Sequence, residues 1–532
     1  MKLTTAALGL CVTTVVLAGC GGGGSGPGSS GGGGEVVDGG TFSMSLAADP
    51  GNLDPQMGAG SGLFATTQFA YDALLSVDAK TGEIESALAT KWSAEGTDVE
   101  LTLADDITCA DGTAFTPSVV ADNINFVTDP ANQSPLLGTF VPVGAKATGD
   151  DAAGTVSITL TDAAPFVLNG LASLPMVCPG GLEDRKSLAQ ATNGTGPYVL
   201  TDAKPGESYT FKIRDGYTWG PNGAATDVKG MPDTVVLKIT ENETTAANLL
   251  LSGDLNAAQI VGPDAKRLEG AGLFTAKTPA LVGEQWYNQA AGRPTADPKV
   301  RVALTRALDL GELQKVLTSG TGGPATTLAA VEPTTCPGDS VSGSVPTHDP
   351  DAAAALLDEA GWTVGDGGTR TKDGKPLELV LLYQGSSGTG GAAATELAVK
   401  QWQELGVKVT AKSQNETTLT GTIFSGGDWD VAWVALNVNA PDQLVPFLSG
   451  TKAPDGTNFA GIENADYQAG LAEAAKTQGV EGCDAWLAAE STLLEDADVV
   501  PFANNIVRTF GAGAEFATPG NLVPTSIRMM KK

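Results

Sequence analysis

The composition of residues 1–40 is the feature that most restricts what this chain can fold into. Gly and Ser make up most of residues 21–40, and an uncharged stretch, residues 3–19, precedes them. A Gly/Ser-rich segment has almost no side chains to bury, and it behaves as a flexible coil with a root-mean-square reach of roughly 25 Å for about 20 residues. The folded body is therefore expected to comprise residues 41–532.

Residues 1–19 have the pattern of an export signal. Lys2 gives a positive start, and threonines interrupt the apolar run, which is short for a spanning helix of about 20 mostly apolar residues. The sequence LAGC (17–20) resembles a bacterial lipobox, in which the cysteine becomes the first mature residue and carries lipid. We therefore predict a lipoprotein signal peptide over 1–19, and a lipidated Cys20 followed by a tether over 20–40. A plain secretory signal and an uncleaved anchor are the alternatives.

The overall composition supports a large folded body and argues against some partners. The chain has 532 residues, of which 42% are hydrophobic, which is enough for roughly three domains of about 150 residues. Its net charge of −30 disfavours nucleic acid and anionic lipid headgroups as partners. We interpret this acidity as a solubility feature and infer no cationic ligand from it.

Four cysteines remain in the body once Cys11 leaves with the signal and Cys20 takes lipid. They are Cys109, Cys178, Cys336 and Cys483. An even number in an exported protein favours two disulfides. Four cysteines allow three pairings, of which we expect the one between sequence neighbours, Cys109–Cys178 and Cys336–Cys483. A metal site is the weaker alternative, because no CxxC motif or nearby histidine completes a ligand set.

The chain has a single histidine, and this limits the enzyme chemistry open to it. A Ser-His-Asp or Cys-His hydrolase would need His348 as its base, yet no G-x-S-x-G or P-loop motif accompanies that residue. His348 is instead followed by Asp349 and Pro350, a typical cap and first residue of a helix. Paired carboxylates stay open as an alternative among 61 acids, but we predict that the chain is not an enzyme.

Hydrophobic periodicity predicts a mixed α/β body. Strands are predicted from alternation or β-branched content at 155–160, 209–213, 234–239, 377–383 and 407–413. Helices are predicted at 297–310, 349–361 and 395–406. Asp297 and Asp349 are the expected N-caps of the first two helices, and Gly361 is placed to end the second.

Ten different short motifs follow one another along the whole body. They are NLDPQ (52–56), ADGTAFTPSVVADNINFV (110–127), GTGPYVL (194–200), GYTWGPNG (216–223), LLSGDLNAAQI (250–260), WYNQA (286–290), DPKVRVALTRALD (297–309), AAALLDEAGW (353–362), VKQWQELGVKVT (399–410) and GDWDVAWVAL (427–436). Each motif alone is weakly specific. Together, in this order and spacing, they resemble the large solute-binding proteins of ABC importers that include the oligopeptide and dipeptide binders.

This resemblance implies an α/β, two-lobed periplasmic-binding-protein fold with a cleft between the lobes. Lobe I would comprise residues 41–80, 190–285 and 505–532, and residues 81–189 would form an extra subdomain of that lobe, giving three subdomains. Lobe II would comprise residues 286–504. Each expected disulfide then falls within one unit.

The resemblance also implies how such a protein would work. A ligand would bind between the lobes, which close by a hinge motion, and the closed form would meet an ABC permease and its ATPase. The protein would need no cofactor or metal, would act as a monomer, and would stay extracytoplasmic on the outer face of the cytoplasmic membrane through its lipid anchor. A peptide or peptide-like ligand is expected. One alternative is a non-peptide ligand, either an oligosaccharide or another metabolite. The other alternative is a surface lipoprotein that senses a ligand without transport.

The expected ligand residues come from the last motif and two earlier ones. In peptide-binding relatives an acid just after the tryptophan of the last motif meets the peptide amine, whereas the comparable positions here are Leu436 or Asn439. Asp442 lies close by as a substitute. Asn437 and Asn439 would supply hydrogen bonds beside an apolar wall formed by Trp433.

Four further candidates lie outside that segment. Trp286 and Asn288 lie near the expected crossover between the lobes. Asp54 and Met57 lie on the opening loop of lobe I.

Overall fold

The computed structural model of this chain describes residues 34–58, 60–477 and 479–531. The predicted signal peptide, Cys20 and most of the predicted tether lie outside the described residues.

The first part of the chain contributes strands and short helices to two units. Up to residue 80 these are β1 (Thr41–Leu46), α1 (Ser61–Thr67) and β2 (Leu75–Val77). Through the predicted extra subdomain they are β3 (Ile84–Ser86), β4 (Ala89–Glu95), β5 (Asp98–Leu103), α2 (Pro117–Thr128), β6 (Lys146–Asp150), β7 (Thr155–Thr159), α3 (Val167–Leu171) and α4 (Pro179–Glu183). The chain then returns to lobe I with β8 (Tyr198–Lys204), β9 (Ser208–Ile213), β10 (Thr234–Ile239), α5 (Glu243–Ser252), β11 (Ala257–Ile260), α6 (Asp264–Gly270) and β12 (Phe274–Tyr287).

The remainder alternates helices and strands before one long return strand. Its elements are α7 (Pro298–Arg306), α8 (Leu310–Leu317), α9 (Pro350–Glu359), β13 (Thr363–Val364), β14 (Arg370–Lys372), β15 (Lys375–Pro376), β16 (Glu378–Gln384), α10 (Gly388–Glu404), β17 (Lys408–Gln414), α11 (Glu416–Phe424), β18 (Val431–Trp433), α12 (Val445–Leu448), α13 (Ala465–Ala474) and α14 (Cys483–Glu495). The chain ends with β19 (Val499–Gly511), β20 (Ala514–Glu515) and β21 (Arg528–Met529).

One sheet runs through both lobes, in the order β17-β16-β18-β12-β19-β11-β1-β10-β9-β8. On the lobe II side, β16 pairs in parallel with both β17 and β18. On the lobe I side, β1 pairs in parallel with both β10 and β11. Each lobe therefore has a small parallel core, and such cores are typical of α/β folds with helices on both faces of the sheet.

The antiparallel strands β12 and β19 join these two cores. Their register runs from Phe274 opposite Gly511 to Trp286 opposite Val499, and it shifts around Gly283. β11 pairs with the lobe I end of β19, and β18 pairs with the lobe II end of β12. A side chain at Gly283 would lie within 2.6 Å of Phe502, so close packing requires glycine where the register shifts.

Separate groups of buried apolar residues lie on either side of these strands. The side chains of Trp286 and Tyr287 are fully buried in two different clusters, both in lobe II. Adjacent residues of a strand point to opposite faces of the sheet, so the lobe II sheet is covered on both faces. Lobe I has its own clusters, one around Phe42 and Phe211 and another around Phe510.

A four-stranded sheet, in the order β4-β5-β7-β6, forms the centre of the extra subdomain. Its core contains Cys109 and Cys178, which form a disulfide with a Cα–Cα distance of 6.1 Å. Tyr217 and Trp219 belong to the same core, although they follow β9 in the segment assigned to lobe I. The core of the extra subdomain therefore includes residues from the segment assigned to lobe I.

The second disulfide joins Cys336 to Cys483, with a Cα–Cα distance of 5.1 Å. The structure thus contains the two pairings expected from sequence order. Trp486 and Phe166 pack beside this disulfide in one buried cluster, although Phe166 belongs to the extra subdomain.

Local sequence signals account for several element boundaries. Asp297 and Asp349 accept backbone N–H groups as the caps of α7 and α9, and Gly361 has a left-handed φ of +85° just after α9, as the sequence predicted. The prediction of a single helix over 297–310 is wrong. Helix α7 ends at Arg306, and Asp309 caps the next helix, α8, by accepting the N–H of Glu312 at 2.9 Å.

Two other predicted boundaries are shifted. The helix predicted to begin at Thr395 begins at Gly388, because Gly390 lets the first turn pack where any side chain would lie 2.4 Å from the carbonyl oxygen of Leu317. The folded body also begins before residue 41. Val36 bridges to Met530 next to the C-terminus.

Loss of the Cys336–Cys483 disulfide is expected to destabilise the protein. A double Cys336→Ser, Cys483→Ser variant should lose about 2–4 kcal/mol of unfolding free energy, because the cross-link restrains a long loop in the unfolded chain. Urea denaturation followed by tryptophan fluorescence measures this. An unchanged midpoint, in wild-type protein shown by mass spectrometry to carry no free thiols, would contradict the expectation.

Candidate functional site

The carboxyl ends of the parallel strands in the two lobes face each other. In open α/β sheets, ligands bind in the crevice beyond these strand ends. In lobe I this edge is formed by the segments after β1 and β10, and in lobe II by the segments after β16, β17 and β18. We call the space between the two edges the cleft.

Direct contacts across the cleft define a closed arrangement. Glu416, which follows β17, accepts hydrogen bonds from the N–H of Ser61 at 2.7 Å and from its hydroxyl at 2.8 Å. The rings of Phe166 and Trp486 lie 6.1 Å apart between the extra subdomain and lobe II. Gly138 of the extra subdomain lies against Pro446.

The two predicted tryptophans fill the interior of lobe II. Trp286 has no exposed surface and donates its Nε1–H to the carbonyl oxygen of Val434 at 2.8 Å. Trp433 is 8% exposed, donates to Gln285 Oε1 at 3.0 Å and packs on Phe502. In this closed form the side chains of both tryptophans are packed inside lobe II.

Asn288 and Asp54 also make internal contacts. Asn288 donates to the carbonyl oxygen of Trp429 at 3.0 Å. Asp54 forms an ion pair with Arg185, whose guanidinium lies 3.5 Å from the ring centroid of Phe126 in the extra subdomain. This pair fixes the opening loop of lobe I to that subdomain. Met57, on the same loop, is 40% exposed.

Asn437 bonds to a crossover strand. Its side chain accepts from the N–H of Leu281 at 2.9 Å and donates to the carbonyl oxygen of Leu281 at 3.0 Å. Leu281 is the residue at which the β12 register begins to shift, and β18 ends at Trp433. The amide of Asn437 therefore takes the place of a neighbouring strand beside the irregularity.

Asn439 holds its segment through main-chain bonds. Its carbonyl oxygen accepts from the N–H of Thr335 at 2.8 Å, and its N–H donates to Gln443 Oε1 at 3.3 Å. Because Thr335 is adjacent to Cys336, these bonds connect the cleft segment to the second disulfide.

Asp442 differs from the other predicted residues in its hydrogen bonding. Its Oδ1 atom is buried and has no hydrogen-bond partner within the described part of the chain. Burial raises the pKa of this carboxyl from 3.8 to about 7, and backbone hydrogen bonds lower it by less. A buried acceptor without a partner can bind a hydrogen-bond donor or a cation that a ligand supplies.

Two further buried carboxyls, which sequence reasoning missed, lie in the same lobe. Burial raises the pKa of Glu490 from 4.5 to about 7, although its carboxylate accepts from Leu328 and Ser340. Burial likewise raises the pKa of Glu284 well above its ordinary value, while Glu284 accepts from the N–H of Leu436 at 2.7 Å. No sequence pattern marks them, because nothing about a lone glutamate on a strand or helix reveals that other residues cover it.

The described residues show neither a metal cluster nor a spanning helix. Between Gly34 and Lys531, apart from the two undescribed positions 59 and 478, no group of three or more His, Cys, Asp or Glu side chains could hold a metal ion. Within those same limits, no helix combines the length and apolarity needed to cross a bilayer.

Two lobes that share a pair of crossover strands and close over a cleft define a binding protein of the periplasmic type. The sequence profile of "Bacterial extracellular solute-binding proteins, family 5 Middle" matches residues 83–457. The chain belongs to this family.

Individual relatives agree with this assignment. Protein XP55 of Streptomyces lividans is 28% identical over 377 residues, which is 65% of this chain and 62% of XP55's own length. The glutathione-binding protein GsiB of Escherichia coli K12 is 27% identical over 82% of this chain and 83% of its own. A substrate-binding protein of Microbacterium hydrocarbonoxydans, complexed with 4-hydroxybenzoate hydrazide, superposes with a TM-score of 0.78 at 25% identity, covering 92% of this chain and all of that one.

The Asn437–Leu281 bonds predict a stability effect that needs no ligand. Asn437→Ala should lower the free energy of unfolding of the ligand-free protein by about 1–2 kcal/mol, because two strand groups lose their partner. Asn439→Ala, two residues along, is the matched control, since the hydrogen bonds of Asn439 described above are made by its main chain and survive the substitution. Equal denaturation midpoints for the two variants would mean that Asn437 does not support the strand.

The buried carboxyls predict that stability falls as pH rises. Asp442 and Glu490 hold their protons up to about pH 7 when folded, but release them near their ordinary values of 3.8 and 4.5 when unfolded. Unfolding therefore releases protons between about pH 4.5 and 7, and the melting temperature should fall across that range. Asp442→Asn and Glu490→Gln should each flatten the curve. Glu359→Gln, at an exposed ion pair, is the control, and identical slopes in all variants would refute the assignment.

Proposed function

We propose that this protein is the solute-binding component of an ABC importer. It captures a small ligand between its two lobes and delivers that ligand to a permease driven by an ATPase. The observation that carries the proposal is the closed cleft between the carboxyl ends of two parallel-strand cores, in a member of a solute-binding family. The protein performs no bond chemistry and works as a monomer.

We further propose a peptide or peptide-like ligand whose amine meets Asp442. A buried carboxyl with a raised pKa and an unpartnered oxygen gains most from a ligand ammonium, which supplies both a hydrogen bond and an opposite charge. Leu436 or Asn439 occupies the position where peptide-binding relatives have an acid, so Asp442 would take over that role from a different position. GsiB, a relative, is a glutathione-binding protein, which is in keeping with a short peptide ligand.

A non-peptide solute is the second candidate. The usual acidic group is absent at both comparable positions, Leu436 and Asn439, and the Microbacterium relative was crystallised with 4-hydroxybenzoate hydrazide, which is not a peptide. An oligosaccharide or another metabolite belongs to the same candidate. A surface lipoprotein that senses such a ligand without transport would use the same cleft.

We place the protein outside the cytoplasm, on the outer face of the cytoplasmic membrane, held by lipid on Cys20. The lipobox-like residues 17–20 and the Gly/Ser tether support this location. The tether would let the folded body reach its permease while anchored.

Native mass spectrometry tests the binding function. The body from Ser30 onward, produced in an oxidising compartment, should carry a discrete added mass that denaturation releases, or should bind saturably in a thermal-shift screen of peptides, sugars and metabolites. Failure of every class to bind would overturn the proposal.

The role of Asp442 is tested with the ligand so found. If that ligand carries an amine, Asp442→Asn should weaken its binding at least tenfold, because the charge-assisted bond is lost. Glu359→Gln should leave binding unchanged. Equal dissociation constants for wild type and Asp442→Asn would exclude the amine contact while leaving the binding function intact.

A further inference from the structure

Glu416 is fixed in place at the far edge of lobe II. It is the first residue of α11, and Asn415 caps that helix by accepting the N–H of Thr418 at 2.9 Å. The preceding strand, β17, is the edge strand of the sheet. The main chain therefore leaves the sheet and turns into a helix at this residue, with the side chain directed across the cleft.

Ser61 supplies the partner groups from lobe I. It is the first residue of α1, where backbone N–H groups have no partner within the helix. The Glu416 carboxylate accepts this N–H at 2.7 Å, and the Ser61 hydroxyl lies 3.0 Å from Oε1 and 2.8 Å from Oε2. The two residues are 355 positions apart in sequence, and both atoms of the carboxylate are engaged.

This contact lies far from the crossover strands. β17 is separated from β12 by β16 and β18, which corresponds to roughly 14 Å at the usual spacing between strands. A hinge rotation of about 25° around the crossover would then move Glu416 by about 6 Å relative to lobe I. Hydrogen bonds of 2.7–3.0 Å cannot survive such a displacement, so they exist in the closed form alone.

A second glutamate, Glu243, belongs to lobe I and lies close to lobe II. Glu243 accepts the N–H groups of Val261 and Gly262 within its own lobe. Its Oε2 lies 3.7 Å from where a side chain would begin at Gly388, the first residue of α10. Gly388 has φ of 62° and ψ of −153°, a conformation open almost exclusively to glycine. The start of a lobe II helix can therefore lie close to the Glu243 carboxylate.

We propose that Glu416 and Ser61 form a latch that sets the balance between open and closed lobes before any ligand binds. The latch stabilises the closed form and does nothing in the open form. It therefore raises the fraction of molecules in the closed arrangement, and apparent ligand affinity rises with the population of the favoured state.

Single-molecule fluorescence on the full-length, ligand-free protein tests the latch. Unnatural amino acids at Leu251 in lobe I and Val364 in lobe II, which are 43% and 60% exposed, carry the two dyes and leave both disulfides intact. Glu416→Gln should lower the closed-to-open ratio about threefold or more, because a charge-assisted bond becomes a neutral one. Ser61→Ala, which keeps the backbone N–H, should lower it less.

The double variant separates a latch from two unrelated effects. Because the two side chains act through one contact, Ser61→Ala should add little in a Glu416→Gln background. Glu378→Gln is the matched control. Glu378 is the first residue of β16, so it lies at the amino ends of the parallel strands, whereas Glu416 lies beyond their carboxyl ends. A Glu416→Gln ratio equal to that control, or additive effects of the two substitutions, would overturn the latch. Since no ligand is present, neither result depends on the proposed transport function.

Discussion

The pairing of β12 with β19 is the interaction on which the rest of the structure depends. Its ladder extends from Phe274 opposite Gly511 in lobe I to Trp286 opposite Val499 in lobe II. Each end adds strands of its own, and each is covered by separate buried clusters. The ladder is irregular at Gly283, between the part of β19 that pairs with β11 and the part of β12 that pairs with β18. We infer that lobe rotation is absorbed there, because regular, packed strands on either side resist bending.

The arrangement around this irregularity links the cleft to the crossover. Asn437 lies on a segment that borders the cleft, yet its side chain bonds to Leu281. Glu284, on the other side of the register shift, accepts from Leu436 on the same segment. This one segment beside the cleft therefore contacts the crossover strand on both sides of its irregularity.

Sequence predicted the helix caps, both disulfide pairings and the two-lobed fold, but it did not predict the individual side-chain contacts between and within the lobes. Helix caps such as Asp297 and Asp349 act within one turn, so their signal is contained in a few neighbouring letters. The motifs singled out Trp286 and Trp433 as candidate ligand residues, but they could not tell which side chains a neighbouring layer covers, and both are buried in lobe II. The Ser61–Glu416 contact joins residues 355 positions apart, and no local pattern encodes it.

Closure has to occur against the acidity of the chain. With a net charge of −30, both lobes carry negative charge, and bringing them together raises their mutual repulsion. The described contact at Ser61 meets this problem by presenting backbone and hydroxyl donors, rather than a cation, to the Glu416 carboxylate. These donors stabilise the closed form without adding a further charged group at the contact. The Oδ1 atom of Asp442 has no hydrogen-bond partner within the described part of the chain, so the ligand amine proposed above would supply the positive charge that Ser61 does not.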